Sequence, residues 1–228
     1  MSRKVKASLS ESEAPPTTFL EGTSLVYTQQ AEFASIKSLF LFIFYFYNVK
    51  ADHLIINQHT KLYLPRKTHS EALFQLVSTQ RDHLSPYVPF ATSVNNVDDV
   101  EKFIKNIQIT NQSKRSLITY LFYKEELIGS VGFVNINPKH ASAEMGYWIS
   151  KGFQGKGIIS QSCKKLIAYG FKHFDLNRIV MKIIPMNERS LNIPRRLGFH
   201  EEGVEREAFL NDGVFYDLMV FSLLKSEL

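Results

Sequence analysis

Three glycines, Gly152, Gly155 and Gly157, fall within six residues of the stretch Trp148-Ile149-Ser150-Lys151-Gly152-Phe153-Gln154-Gly155-Lys156-Gly157-Ile158-Ile159-Ser160. Glycine tolerates backbone angles that other residues avoid, so main-chain amides can close on an anion. Where such a loop opens a helix, the helix N-terminus adds unpaired N–H groups and its dipole. A diphosphate suits that chemistry, although the glycines alone also allow a plain strand-to-helix turn with no ligand. Two other nucleotide loops fail on the letters. A dinucleotide fingerprint needs glycine where Ser160 stands and an acidic residue closing the next strand, which instead ends in Pro185-Met186-Asn187. A Walker-type loop needs Ser or Thr after Gly-Lys, but Gly157 follows Lys156.

The elements that must position this loop are read from hydrophobic period. After Gly157, Ile159, Cys163, Leu166, Ile167, Gly170 and Phe174 share one helical face and Gln161, Lys164, Lys165 and Lys172 the other, which predicts an amphipathic helix packed on a sheet. Before the loop, Ser116–Tyr123, Glu126–Ile136 and Ser142–Ser150 read as strands of an antiparallel meander. After the helix come a strand over Arg178–Ile184, a helix from Glu188 to about Leu197 and a hairpin turning at Asn211-Asp212-Gly213. Upstream, Leu54–Asn57 and Lys61–Leu64 read as a hairpin, and Leu73, Phe74, Leu76 and Val77 as a helix that starts near Ser70 and stops before Pro86 and Pro89. A second helix is expected over Asp98–Ile109, with Asp98, Asp99 and Glu101 in the turn where the dipole favours acid.

Composition bounds the class. Hydrophobic residues are 44% and charged residues 21% of 228, ordinary values that suggest neither a wholly disordered chain nor a membrane protein. The net charge of +5 favours polyanionic partners such as a nucleotide cofactor or ribosomal RNA surfaces, yet no direct nucleic-acid motif is present. The lone Cys163 rules out an intrachain disulfide and fits a reducing, cytoplasmic setting. The longest apolar run, Leu39–Tyr47, has nine residues, whereas a membrane span needs roughly 20. It also lies too far from the basic start to read as a signal peptide. Residues 1–30 show no sustained period, so residues 1–45 are expected to form a flexible extension and residues 46–228 the folded domain.

The loop Gln154-Gly155-Lys156-Gly157-Ile158-Ile159 resembles the Q/R-x-x-G-x-G/A loop of the GNAT acetyltransferases, with Ile159 in place of a small residue. With Gly146-Tyr147-Trp148-Ile149 before it, and Pro185-Met186-Asn187-Glu188-Arg189-Ser190 and Leu197-Gly198-Phe199 after it, the string is similar to the RimJ/RimL branch, which acetylates protein N-termini. The resemblance implies an α/β (α+β) fold. Its sheet is mixed and mostly antiparallel, has about seven strands splayed between the fourth and fifth, and is flanked by about four helices. It implies acetyl-CoA as cosubstrate, with no metal. The pantetheine arm would lie against Trp148 and Ile149, the diphosphate on Gln154, Gly155, Lys156, Gly157, Ile158 and Ile159, and Asn187 on the arm. Asn is equally a good helix N-cap.

Transfer of acetyl from a thioester to an amine needs a neutral amine, a donor to the oxyanion and a proton for the departing thiolate. The resemblance gives the oxyanion to backbone amides near Tyr147 and Trp148, and the thiolate proton to Ser190, which also touches the cofactor. It gives the base to Glu202; Glu144, two residues before Gly146 and on the strand face of Trp148, is a narrow second and a further substrate contact. Each of these residues also has an ordinary reading, as a first-turn serine or a solvated carboxylate. The acceptor pocket is expected on Arg81, His83 and Tyr87, with Pro86 stiffening the lip. Cys163 belongs to the apolar helix face and reads as core. Expected partners are acetyl-CoA, an acceptor amine at a protein N-terminus of ribosomal type, and a second copy of the chain as a homodimer. A small amine such as a polyamine or aminoglycoside is the alternative acceptor, and a CoA-binding module without catalysis is a third reading.

Overall fold

A computed structural model describes residues 53–228, so the expected extension over residues 1–45 and the aromatic run Leu39–Tyr47 lie outside the described residues. Eight strands form one sheet in the order β1-β2-β3-β4-β5-β6-β8-β7. They are β1 (His53–Ile55), β2 (Thr60–Tyr63), β3 (Leu117–Tyr123), β4 (Glu126–Asn137), β5 (Ser142–Ile149), β6 (Arg178–Ile183), β7 (His200–Asn211) and β8 (Val214–Leu224). Four helices span nine residues or more: α1 (Ser70–Thr79), α4 (Val97–Gln112), α5 (Ile158–His173) and α6 (Glu188–Arg196). Two single-turn helices, α2 (Arg81–Leu84) and α3 (Phe90–Ser93), replace the loop expected around Pro86 and Pro89.

Local chemistry accounts for most boundaries. The turn between β1 and β2 is tightened by Asn57, whose side-chain oxygen accepts the N–H groups of His59 and Thr60 at 2.9 and 3.0 Å. Asn96 caps α4 by accepting from Asp99 N at 2.9 Å, with Asp98 and Asp99 in the first turn. On one sheet face, α1, α2 and α4 enclose a core of Leu73, Val77, Leu84, Val100, Ile104 and Tyr120, and Trp148 packs against it. On the other face, the predicted stripe of α5 is buried at Ile159, Cys163, Leu166, Ile167 and Gly170. Gly170 permits that approach: a Cβ there would stand 2.5 Å from the Phe133 ring of β4. Cys163 is fully buried and burial pushes its thiol pKa up, which suits a packing residue.

Every neighbouring pair of strands is antiparallel except β5 and β6. That parallel pair touches only at Ser142↔Arg178, Ala143↔Ile179 and Glu144↔Val180. Beyond it β5 runs on to Ile149 and β6 to Ile183 without pairing, so the sheet splays. Counting the short β1, the splay falls between the fifth and sixth strands. The free edge of β5, from Met145 to Ile149, is left with main-chain groups that an extended ligand could pair.

Candidate active site

The splay opens into a cavity of about 460 Å³ walled by the end of β5, the glycine loop, the start of α5, one face of α6 and the α2 lip. The loop leaves β5 at Ser150, makes a single tight turn over Lys151–Phe153 and enters α5 at Gly157. Gly155 and Gly157 sit at φ +75° and +72°, the left-handed region that favours glycine. A Cβ at Gly155 would meet nothing within 4 Å, and one at Gly157 only the Gln161 amide nitrogen at 3.8 Å, so both backbones face open space. No side chain caps α5, and its first-turn N–H groups stand at the cavity with Ile158, Ile159 and Ser160 in the wall. This cradle fits a diphosphate. Ile159, the departure from the small residue at that place, is 6% exposed and lies in the wall rather than over the loop.

On the opposite side Asn187 caps α6, its Oδ1 accepting Ser190 N at 3.2 Å, while the residue lines the cavity. Its two expected roles are therefore compatible. The cap uses the oxygen, and no described residue bonds the side-chain NH₂. Ser190 stands beside it in the first turn of α6, half-buried and in the wall. From the far side of the gap the Tyr147 hydroxyl donates to Ser190 O at 3.1 Å. Burial holds that phenol above its ordinary pKa, so it remains a donor.

The lip is tied to the loop twice. Gln80 Oε1 accepts Lys151 N at 2.8 Å, and His83 Nε2 lies 3.0 Å from Gln154 Nε2. Arg189 donates to Gln154 Oε1, which turns the Gln154 NH₂ toward His83 and makes His83 Nε2 the acceptor, with the ring proton on Nδ1. From the other side Asn211 Nδ2 donates to Ser85 O at 2.9 Å and Pro86 O at 3.3 Å, so the β7–β8 hairpin braces the same lip. Tyr87, 39% exposed, and His83 both line the cavity.

The structure thus brings together Trp148, Ile149, Gln154, Gly155, Gly157, Ile158, Ile159, Asn187, Ser190, His83 and Tyr87. Four other sequence candidates stand apart. Lys156 is exposed and lies over the Phe153 ring at 4.8 Å. Arg81 turns inward and donates to Ala91 O and Val94 O, holding the α2–α3 segment. Glu202 is the clearest correction. Both its oxygens are gripped by Arg178, Ser222 Oγ donates to it at 2.7 Å, and these bonds hold its pKa down to about 2. A carboxylate so stabilised, on the outer strand β7 and outside the cavity, is a poor base. Glu144 sits half-buried at the root of the splay, on the strand face of Trp148 but not in the cavity wall. Sequence reasoning missed Lys151, Arg189 and Arg196, three cations of the wall. The signal for the last two was their seven-residue spacing on α6.

Comparison with known proteins agrees with this geometry. Residues 60–200 match the family described as Acetyltransferase (GNAT) domain. YdaF of Bacillus subtilis (strain 168), named as a candidate ribosomal N-acetyltransferase, is 34% identical over 173 residues, 75% of this chain and 94% of YdaF. The ribosomal-protein-serine acetyltransferase of Escherichia coli (strain K12) is 30% identical over 158 residues, 69% of this chain and 88% of that protein. Among solved structures, the microcin C7 self-immunity acetyltransferase MccE in complex with acetyl-CoA and AMP superposes with a TM-score of 0.74 at 32% identity, covering 77% of this chain and 98% of that one. With a splayed sheet, a glycine cradle at a helix N-terminus and relatives of this kind, the chain belongs to the GNAT acetyltransferase family and is an acetyl-CoA-dependent N-acetyltransferase.

Proposed function

We propose that the acceptor is the α-amine of a protein N-terminus, of the ribosomal-protein type named for the relatives. The observation that carries this reading is the charge of the cavity wall. Among the described residues it contains the cations Lys151, Arg189 and Arg196 and no aspartate or glutamate. A polyamine carries several positive charges and is held by carboxylates, and this wall offers it none. A peptide N-terminus brings one amine that is lost as a charge before attack, and then neutral backbone.

In this reading acetyl-CoA lays its pantetheine along the free edge of β5, its diphosphate on the amides of Gly155 to Ile159, and a carbonyl of its arm against the Asn187 NH₂. The neutral amine attacks the thioester carbon in a ternary complex. The C–N bond forms, the oxyanion is held by main-chain N–H groups at Tyr147 and Trp148, and the C–S bond then breaks. Before attack the ammonium proton leaves through water toward Glu144, the carboxylate that Arg178 does not occupy; afterwards Ser190 Oγ passes a proton to the leaving thiolate and regains one, through water, from the nitrogen of the new amide. Gln154, His83 and Tyr87 line the side where the acceptor enters.

A thiol-release assay across peptides of different N-terminal residues, spermidine and an aminoglycoside tests this. Peptides should turn over with the highest kcat/KM. A polyamine or aminoglycoside outrunning every peptide would replace the reading with a small-amine acetyltransferase, and no thiol release with any amine would leave a binding module.

A further inference from the structure

The cations of the cavity wall are not equivalent. Arg189 is already engaged on the loop through Gln154 Oε1. Arg195, next to the wall, is paired with Glu201 at 3.3 Å and lies 5.9 Å from the Phe221 ring. Arg196 is exposed, lines the cavity and has no ion pair or side-chain hydrogen bond to any described residue. It stands seven residues after Arg189, two turns along α6, so the two share a helix face at an axial spacing of roughly 10 Å. Asn192 and Ile193 fill the same face between them.

Coenzyme A carries two separate anionic groups, the diphosphate and a phosphomonoester on the ribose 3′ oxygen, which is close to a dianion at neutral pH. The glycine cradle and Arg189 account for the first. We propose that Arg196 forms a second phosphate subsite that takes the ribose 3′-phosphate, so that this enzyme selects coenzyme A over its 3′-dephospho form. The proposal rests on acetyl-CoA lying in this cavity. An ordinary reading also exists for a cation in the last turn of a helix, where the dipole favours it. That role needs no open cavity and predicts no discrimination between cofactors. A guanidinium is suited to a phosphomonoester because its fork can donate two parallel hydrogen bonds.

The test is calorimetric titration of the full chain with coenzyme A and with 3′-dephospho-coenzyme A, for the wild type, Arg196→Gln and Arg189→Gln. The wild type should bind coenzyme A about tenfold more tightly than the dephospho form, equivalent to about 1.4 kcal/mol. Arg196→Gln should lower affinity for coenzyme A to that for the dephospho form and leave the latter unchanged. Arg189→Gln should weaken both ligands alike. Equal wild-type affinities, or an Arg196→Gln loss of the same size for both ligands, overturns the subsite while leaving the cavity as the cofactor site. So does a variant whose only change is a raised acceptor KM. Binding of neither ligand overturns the reading of the cavity itself and the subsite with it.

Discussion

The Tyr147 hydroxyl donates to the carbonyl oxygen of Ser190 at 3.1 Å, and this is the carbonyl that the residue at position 194 would bond in an unbroken helix. Pro194 has no N–H to give. A tyrosine on β5 therefore replaces a missing helical bond on α6, across the splay between β5 and β6. The two residues should be coupled. Tyr147→Phe alone should cost about 1 kcal/mol of stability, as for an ordinary hydrogen bond whose acceptor is left partly buried. In a Pro194→Ala background, which returns a backbone donor to Ser190 O, the same change should cost much less. Denaturant unfolding of the four proteins measures this, and simple additivity would show that the hydroxyl and the proline act independently.

Glu202 should behave as a structural group. Its folded pKa, about 2, lies below the unfolded value near 4.5, so its contribution is fully present above about pH 5 and is lost as pH falls toward 2. Glu202→Gln should thus be less stable than the wild type at pH 7, with the difference closing through that acid window, and should keep kcat within about twofold. A large loss of kcat at unchanged stability would return Glu202 to the chemistry.

These two cases show what the sequence holds and what it does not. The glycine loop, the α5 stripe and the Asn187 cap follow from rules that act within a few residues, and all were legible. The fate of Glu202 is set by Arg178, 24 residues away on β6, and by Ser222 on β8 between them, which no local pattern displays. Arg81 is similar: its partners are carbonyls 10 and 13 residues on, fixed only once α2 and α3 have turned. Arg189 and Arg196 had a readable spacing, but a basic stripe on a helix reads first as a solvated face. Only the splay turns that face into a cavity wall.

The loop itself gives a third prediction. At Gly157 an added Cβ meets no backbone, so Gly157→Ala should cost folding only the left-handed strain of about 1–2 kcal/mol. The same methyl group stands where the diphosphate would approach. Affinity for acetyl-CoA should fall by more than tenfold, measured by titration of folded variant well below its melting temperature. Unchanged affinity would remove the loop from the cofactor site.

We propose that residues 46–228 form the complete catalytic unit, since the described sheet starts with β1 at His53 and the cavity draws only on residues from His83 onward. A chain beginning at Phe46 should retain kcat within about threefold with the best acceptor found. A loss beyond about tenfold, with acetyl-CoA binding intact, would make the first 45 residues part of the active enzyme.

The last prediction separates the two proton-transfer roles. Ser190→Ala should lower kcat by about a hundredfold, the lower end of what general acid catalysis supplies, while leaving the Kd for coenzyme A within about twofold, because the Asn187 cap uses the backbone N–H of Ser190 and not its hydroxyl. Glu144→Gln should act through the acceptor. Its half-buried carboxylate has work to do only while the α-amine is an ammonium, below about pH 8. The deficit in kcat/KM should therefore be largest near pH 7 and shrink as pH rises toward 9, where the amine is already neutral. A pH-independent deficit would mean that Glu144 shapes the strand instead of accepting the proton. Wild-type kcat/KM in Glu144→Gln across the whole range would assign deprotonation to solvent, leaving Ser190 as the one side chain that moves a proton.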